Sequence, residues 1–229
     1  MTYTRVFSIV ALITVALVCA AAQPSLQVPR CEVGSTMATD FFLDDGSAPA
    51  IQQTAVNVCY DDEYIYLKPM CTDNDIMSPF TECNQDLFQS DVFEVFISEG
   101  FNQPTNYLEV ELSPYGVLFV SNVANTDNDC SGITDTLIDC GASGIQYNST
   151  ATPTGWLGYL ALPFSTIQNA TYAASAVRPD SYGTQFRMNM YRIDTPSQTY
   201  VKEYSCWNPT DKSPACFHVP STFGYITLV

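Results

Sequence analysis

One stretch constrains this chain more than any other. Residues 86–116, DLFQSDVFEVFISEGFNQPTNYLEVELSPYG, hold two runs of strict alternation. In the first, Phe93, Val95 and Ile97 share one side, and Val92, Glu94 and Phe96 the other. In the second, Leu108, Val110 and Leu112 alternate with Tyr107, Glu109 and Glu111. A period of two is the signature of a strand whose two faces meet different surroundings. If the runs pair as neighbours, Glu94, Glu109, Glu111 and Tyr107 gather on one sheet face. Carboxylate acceptors beside aromatic rings are what a surface that recognises sugar hydroxyls needs.

The rest of the chain repeats that pattern. Strand-like runs are expected at about 55–60, 64–72, 92–98, 107–113, 117–122, 144–147, 156–162, 186–192, 198–204 and 225–228. Turn-forming residues separate them, as in Asp61-Asp62-Glu63, Pro114-Tyr115-Gly116 and Pro153-Thr154-Gly155. Helical periodicity is scarce; 164–169 could make one short turn, with Pro163 at its start. Many short strands with such turns indicate an all-β fold, an antiparallel β-sandwich.

The amino terminus reads as a secretory signal over residues 1–22. Arg5 precedes the apolar run VFSIVALITVALVCAAA, and small residues end it before Gln23. Removing that segment leaves 207 of 229 residues. No Pro/Gly/Ser linker or repeat divides them, so residues 23–229 are expected to form a single domain with no membrane span. The expected location is extracellular.

Eight cysteines remain after the signal: Cys31, Cys59, Cys71, Cys83, Cys130, Cys140, Cys206 and Cys216. An even set in a secreted chain reads as a disulfide framework. Eight cysteines admit roughly a hundred pairings. Short loops favour Cys71–Cys83, Cys130–Cys140 and Cys206–Cys216, which leaves Cys31–Cys59. The sequons at Asn148 and Asn169 agree with the secretory route and fall in polar, loop-like sequence.

Twenty-four acidic residues against 8 basic ones give a formal charge of −16, which argues against nucleic acid as a partner. A zinc site of the Cys/His type has no CxxC and one histidine to draw on. The G-x-S-x-G elbow, the phosphate-binding loop and the dinucleotide glycine fingerprint are missing. Clustered oxygens at Asp61-Asp62-Glu63, Asp73-Asn74-Asp75 and Asp127-Asn128-Asp129 make a structural calcium possible, although none follows the EF-hand spacing.

Several fragments, in order, resemble carbohydrate-binding module family 9-like domains of the DOMON-like sandwich superfamily. They are VCYDDEYIY at 58–66, Asp73 with Ile76, and Phe88-x-x-Asp91-x-x-Glu94-x-Phe96. Tyr107-Leu108-Glu109, Gly155-Trp156, Leu162-Pro163 and Asn189-Met190-Tyr191-Arg192 follow. Trp207-Asn208-Pro209 and Phe217-His218-Val219-Pro220-Ser221-Thr222-Phe223-Gly224 close the match, which spans about residues 38–229. The resemblance implies a non-catalytic β-sandwich that binds oligo- or polysaccharides by stacking and hydrogen bonds. In well-known bacterial members two tryptophans clasp the sugar; Phe88 and Phe217 occupy the matching positions. Glu94 matches a ligand-contacting glutamate, and Glu109 replaces a sugar-contacting arginine. The expected carbohydrate site is therefore Phe88, Glu94, Glu109, Asn189, Arg192, Trp207 and Phe217. No cofactor is required by this reading, and any role in polysaccharide breakdown would need a separate catalytic chain. Two alternatives stand beside it. Some DOMON-like domains hold haem between a methionine and a histidine, which would here be His218 with Met70, Met188 or Met190. A structural matrix or wall protein is the other.

Overall fold

A computed structural model describes residues 23–175, 179 and 181–229. The expected signal segment lies outside them. Two sheets face each other. The larger contains β1 (Ser25–Val28), β3 (Phe42–Leu43), β6 (Val92–Glu99), β7 (Asn106–Leu112), β8 (Leu118–Ala124), β9 (Thr134–Leu137), β12 (Gln185–Asp194), β13 (Glu203–Cys206) and β14 (Gly224–Leu228). Its order is β1-β14-β12-β6-β7-β8-β9, with β13 and β3 branching from the far end of β12. The smaller contains β2 (Thr36–Ala38), β4 (Thr54–Tyr60), β5 (Tyr64–Thr72), β10 (Gln146–Thr152) and β11 (Gly155–Pro163), in the order β10-β11-β5-β4-β2. Every pairing is antiparallel except β1 with β14.

The alternation dictates what lies between the sheets. Phe93, Val95 and Ile97 of β6 pair with Leu112, Val110 and Leu108 of β7, all fully buried. They meet Val56, Val58, Ile65, Leu67 and Trp156 of the smaller sheet in one core. The short helix α1 (Phe164–Thr171) packs on β6 and β7, burying Phe164, Ile167 and Ala170; Pro163 stands at its N-cap, where its missing N–H costs nothing. No helix of the described residues is long and apolar enough to cross a membrane.

The larger sheet is unusual because its second face is also covered. All of Val92–Ser98 is buried, both parities alike. A second apolar cluster, including Leu87, Phe96, Tyr107, Tyr191, Phe217 and Phe223, sits on that face. Its cover includes the loop between β13 and β14, whose Phe217 and Phe223 belong to this cluster, whereas Trp207 at its start belongs to the inter-sheet core.

Three disulfides are formed among the described residues: Cys31–Cys59, Cys83–Cys140 and Cys130–Cys216. The pairings favoured by short loops, Cys71–Cys83, Cys130–Cys140 and Cys206–Cys216, are thereby corrected. Cysteines near in an extended chain are not near in space. Cys71 sits near the end of β5 facing the inter-sheet core, and Cys206 pairs with Tyr191 in the cluster on the covered face; both are buried thiols. Cys216 is instead carried across the sheet to Cys130, and Cys83 meets Cys140 beside β8. Burial pushes the Cys71 thiol up to about 11. The strand expected at 198–204 is a turn closed on Pro196, and the pairing begins only at Glu203. Both sequons sit in regular structure rather than loops. Asn148 is exposed on β10 and Asn169 is exposed on α1.

Candidate functional site

The covered face of the larger sheet holds a pocket of about 370 Å³. Its floor is carboxylate. Glu94 stands opposite Glu111 in the β6–β7 register, and Glu109 follows two residues before Glu111 on the same face. The three are 2–6 % exposed, and their nearest oxygens lie within 4.8 Å of one another. Glu109 Oε2 accepts from Ser121 Oγ at 3.0 Å. Glu94 Oε1 and Glu111 Oε2 have no protein hydrogen-bond partner. Burial, with mutual repulsion added, pushes the Glu94 and Glu111 carboxyls well above the usual range. Burial pushes Glu109 up to about 7.

Two rings frame the opening. Phe88 lies in the short 3₁₀ turn before β6 and is 46 % exposed at the edge of the pocket. Lys202 Nζ donates to its carbonyl at 2.8 Å and steadies the turn. Phe217 forms the opposite wall. It is 8 % exposed and stacks on Tyr191, with centroids 4.3 Å apart and planes at 15°. Tyr191 Oη donates to the Phe217 carbonyl at 2.9 Å, and the adjacent Cys216 is tied to Cys130.

His218 completes the rim. Its Nδ1 is 2.7 Å from Tyr107 Oη, its ring stacks on Phe96 at 4.9 Å, and Asn125 Nδ2 donates to its carbonyl. Its Nε2 is 3.8 Å from Glu109 Oε1. Burial pushes the imidazole down to about 4, so the ring is neutral at pH 7.

Of the residues expected from sequence, Phe88, Glu94, Glu109 and Phe217 line this pocket together. Asn189, Arg192 and Trp207 do not. Positions 189 and 192 differ by an odd number within β12, so they face opposite ways. Asn189 shares the glutamate face but is fully buried, donating to the Asn208 carbonyl and accepting from the Asn208 N–H. Arg192 points into the inter-sheet core. There it donates to Asp73 at 2.8 Å, to Asp194 at 3.1 Å and to the Ile193 carbonyl, and it lies over the Trp156 ring. Trp207 belongs to the apolar core and packs against Gly224, where a Cβ would come within 2.5 Å of the indole. The expected sugar site left out Glu111, Tyr204 and His218, which also line the pocket. Glu111 carried its own signal, because it shares the parity of Glu109 in the same strand.

Among the described residues, convergent buried carboxylates that could hold a metal occur at two places: the glutamates above, and Asp73, Asp91 and Asp194. The aspartates have their oxygens largely occupied. Asp91 accepts from the Met77 and Thr195 N–H groups, Asp73 accepts from Asp75 N–H and Arg192, and Asp194 accepts from Arg192. Arg192 already supplies the cation there. The haem arrangement does not assemble. Met188 and Met190 face the inter-sheet core and Met70 belongs to the other sheet, whereas His218 lies on the covered face.

Comparison with known proteins agrees with the fold. A family model described as carbohydrate family 9 binding domain-like matches residues 35–229. An extracellular protein of Arthroderma benhamiae is 29% identical across 98% of this chain and all of its own. A solved structure from Bacteroides uniformis superposes with a TM-score of 0.69 at 14% identity, covering 91% of this chain and 100% of its own. A carbohydrate binding module family 9 from Caldicellulosiruptor kristjanssonii, in complex with cellotriose, superposes at 0.58 with 14% identity, covering 90% of this chain and 93% of its own. Its complex with glucose superposes at 0.57, with 14% identity over 90% of this chain and 96% of its own.

Proposed function

The chain belongs to the carbohydrate family 9 binding domain-like family, whose modules bind without catalysis, and from that premise we propose that it is a secreted protein that binds carbohydrate in the pocket on the larger sheet. The observation that carries this reading is the exposed ring of Phe88 standing beside buried carboxylates on a disulfide-tied frame. An exposed aromatic offers a flat apolar face to the C–H side of a pyranose. The carboxylates accept from sugar hydroxyls, and Tyr204 can both donate and accept. A pocket of this volume suits one or two sugar rings rather than a long chain lying flat. Because the frame is rigid, little side-chain freedom is lost on binding, which favours ligands with weak individual contacts.

Phe88 and Phe217 are the proposed stacking groups, and Glu94 and Glu109 the proposed acceptors. Glu111 is added to them. Asn189, Arg192 and Trp207 support the frame from outside the pocket. The Caldicellulosiruptor module was solved with cellotriose and with glucose, so β-linked glucose oligosaccharides are the first ligands to try. The test is a glycan array probed with the protein from a secretory host, beside Phe88→Ala. Focused hits that disappear in Phe88→Ala support the reading. Silence from folded wild-type protein rejects it.

A further inference from the structure

We propose that Glu94, Glu109, Glu111 and His218 bind a divalent transition-metal ion at the floor of the pocket. The inference shares its three carboxylates with the sugar reading but not its test, because metal titration reads what these four side chains bind before any glycan arrives.

Three observations carry it. The first is the three carboxylates themselves, with oxygens within 4.8 Å of one another on a face covered by protein. Among the described residues, no lysine or arginine forms an ion pair with any of them. The aspartate cluster on the other face has Arg192 in direct contact for this purpose, whereas Lys202 acts on Glu94 only from beyond ion-pair distance. The second is orphaned acceptor capacity. Glu94 and Glu111 are each 2 % exposed, and each keeps one buried carboxylate oxygen without a hydrogen-bond partner. A buried acceptor left unpaired loses its hydration without replacement, and a metal makes good that loss for both.

The third is the imidazole. His218 Nε2 lies 3.8 Å from Glu109 Oε1, and ligands about one ion at about 2.1 Å sit roughly 3–4 Å apart. With its proton on Nδ1, the neutral ring donates to the Tyr107 hydroxyl and leaves the Nε2 lone pair facing the glutamates. A ring nitrogen fixed by a hydrogen bond on its far side is how metal-bound histidines are oriented. Tyr107 is itself held by Asn125 Nδ2 at 3.4 Å. Ser121 plays the same supporting part for Glu109. Imidazole among the donors favours zinc and the carboxylates admit manganese, whereas calcium prefers an all-oxygen shell. Open pocket volume above the floor leaves room for further ligands from solvent.

The experiment is calorimetric titration of chelator-stripped full-length protein with ZnCl2, MnCl2 and CaCl2 at neutral pH. The variants are Glu111→Gln, Glu94→Gln and His218→Ala, each checked for folding by thermal melt. One Zn2+ or Mn2+ per chain is expected, with affinity at least about tenfold weaker in both Gln variants, since loss of an outer-shell partner alone costs about that much. Because His218 also packs on Phe96, its variant is paired with Tyr107→Phe, which leaves the ring and removes the orienting hydroxyl. Weakened transition-metal binding in that variant, with little change towards Ca2+, supports the imidazole as ligand. No binding to folded wild-type protein overturns the proposal. So does binding that survives both Gln substitutions but is lost in Asp91→Asn. Ca2+ bound more tightly than Zn2+ and Mn2+ also overturns it.

Discussion

Phe217→Ala separates a wall of the pocket from a brick of the core. From sequence, this position reads as a stacking ring whose loss would silence binding and leave the melt nearly intact. The structure gives the ring a second duty. It is 8 % exposed, lies flat on Tyr191 at 4.3 Å and meets Tyr204 edge-on at 6.0 Å. Truncating a buried Phe to Ala costs about 3–5 kcal/mol. Phe217 borders an open pocket, so water fills part of the space left behind, and the low end, about 3 kcal/mol, applies. In a domain of this size each kcal/mol moves the melting temperature by about 2–4 °C. The expected drop is therefore about 6–12 °C, with sugar binding lost as well. The assay is differential scanning calorimetry of wild type and variant under identical buffer and metal conditions. A drop under about 2 °C would refute the packing account and return Phe217 to a purely ligand-facing role.

Phe88→Ala should do the opposite: unchanged melting, but glycan affinity down about tenfold, the size of one aromatic contact; a shared loss of stability and binding would show the ring to be structural. Gly224→Ala should lower stability by about 1–3 kcal/mol, because the new methyl would press on the Trp207 ring and on the Pro24 carbonyl; an unchanged denaturant midpoint would contradict that close approach. Metal-free protein should melt higher at pH 5.5 than at pH 8. Burial raises Glu109 and Asp91 to about 7 and Asp194 to about 6, so the folded state holds protons that the unfolded chain, with carboxyls near 4, releases. That stability is complete below about pH 4 and is lost as pH rises through 6 to 7. His218, depressed to about 4, acts in the opposite sense below its unfolded value, but it is one group against several. Melting temperatures that climb steadily from pH 5.5 to 8 would count against the buried-carboxyl account.

The β6–β7 pair was legible because its alternation is unbroken, and that alone placed Glu94, Glu109 and Glu111 on one face. The same parity rule would have separated Asn189 from Arg192, and matching by motif order alone let both into the expected site. What the sequence concealed is long-range. That the glutamate face is covered in part by the loop between β13 and β14 depends on Cys130 meeting Cys216, a pairing between residues 86 apart. Strands β1, β2, β3 and β9 escaped notice because each is only 2–4 residues long and lies at or near a sheet margin; β9 is exposed throughout and has no apolar rhythm to read. Trp207 stands in the expected site although its neighbours Cys206 and Pro209 point to packing, and Gly224, 17 residues on, provides the flat surface it packs against.

The most direct test is a crystal structure of the protein with the strongest glycan from the array. The account predicts a sugar ring against Phe88 with its hydroxyls toward Glu94, Glu109 and Glu111. A glycan bound instead over Tyr66 and Tyr159, in the hollow on the outer face of the smaller sheet, would contradict it.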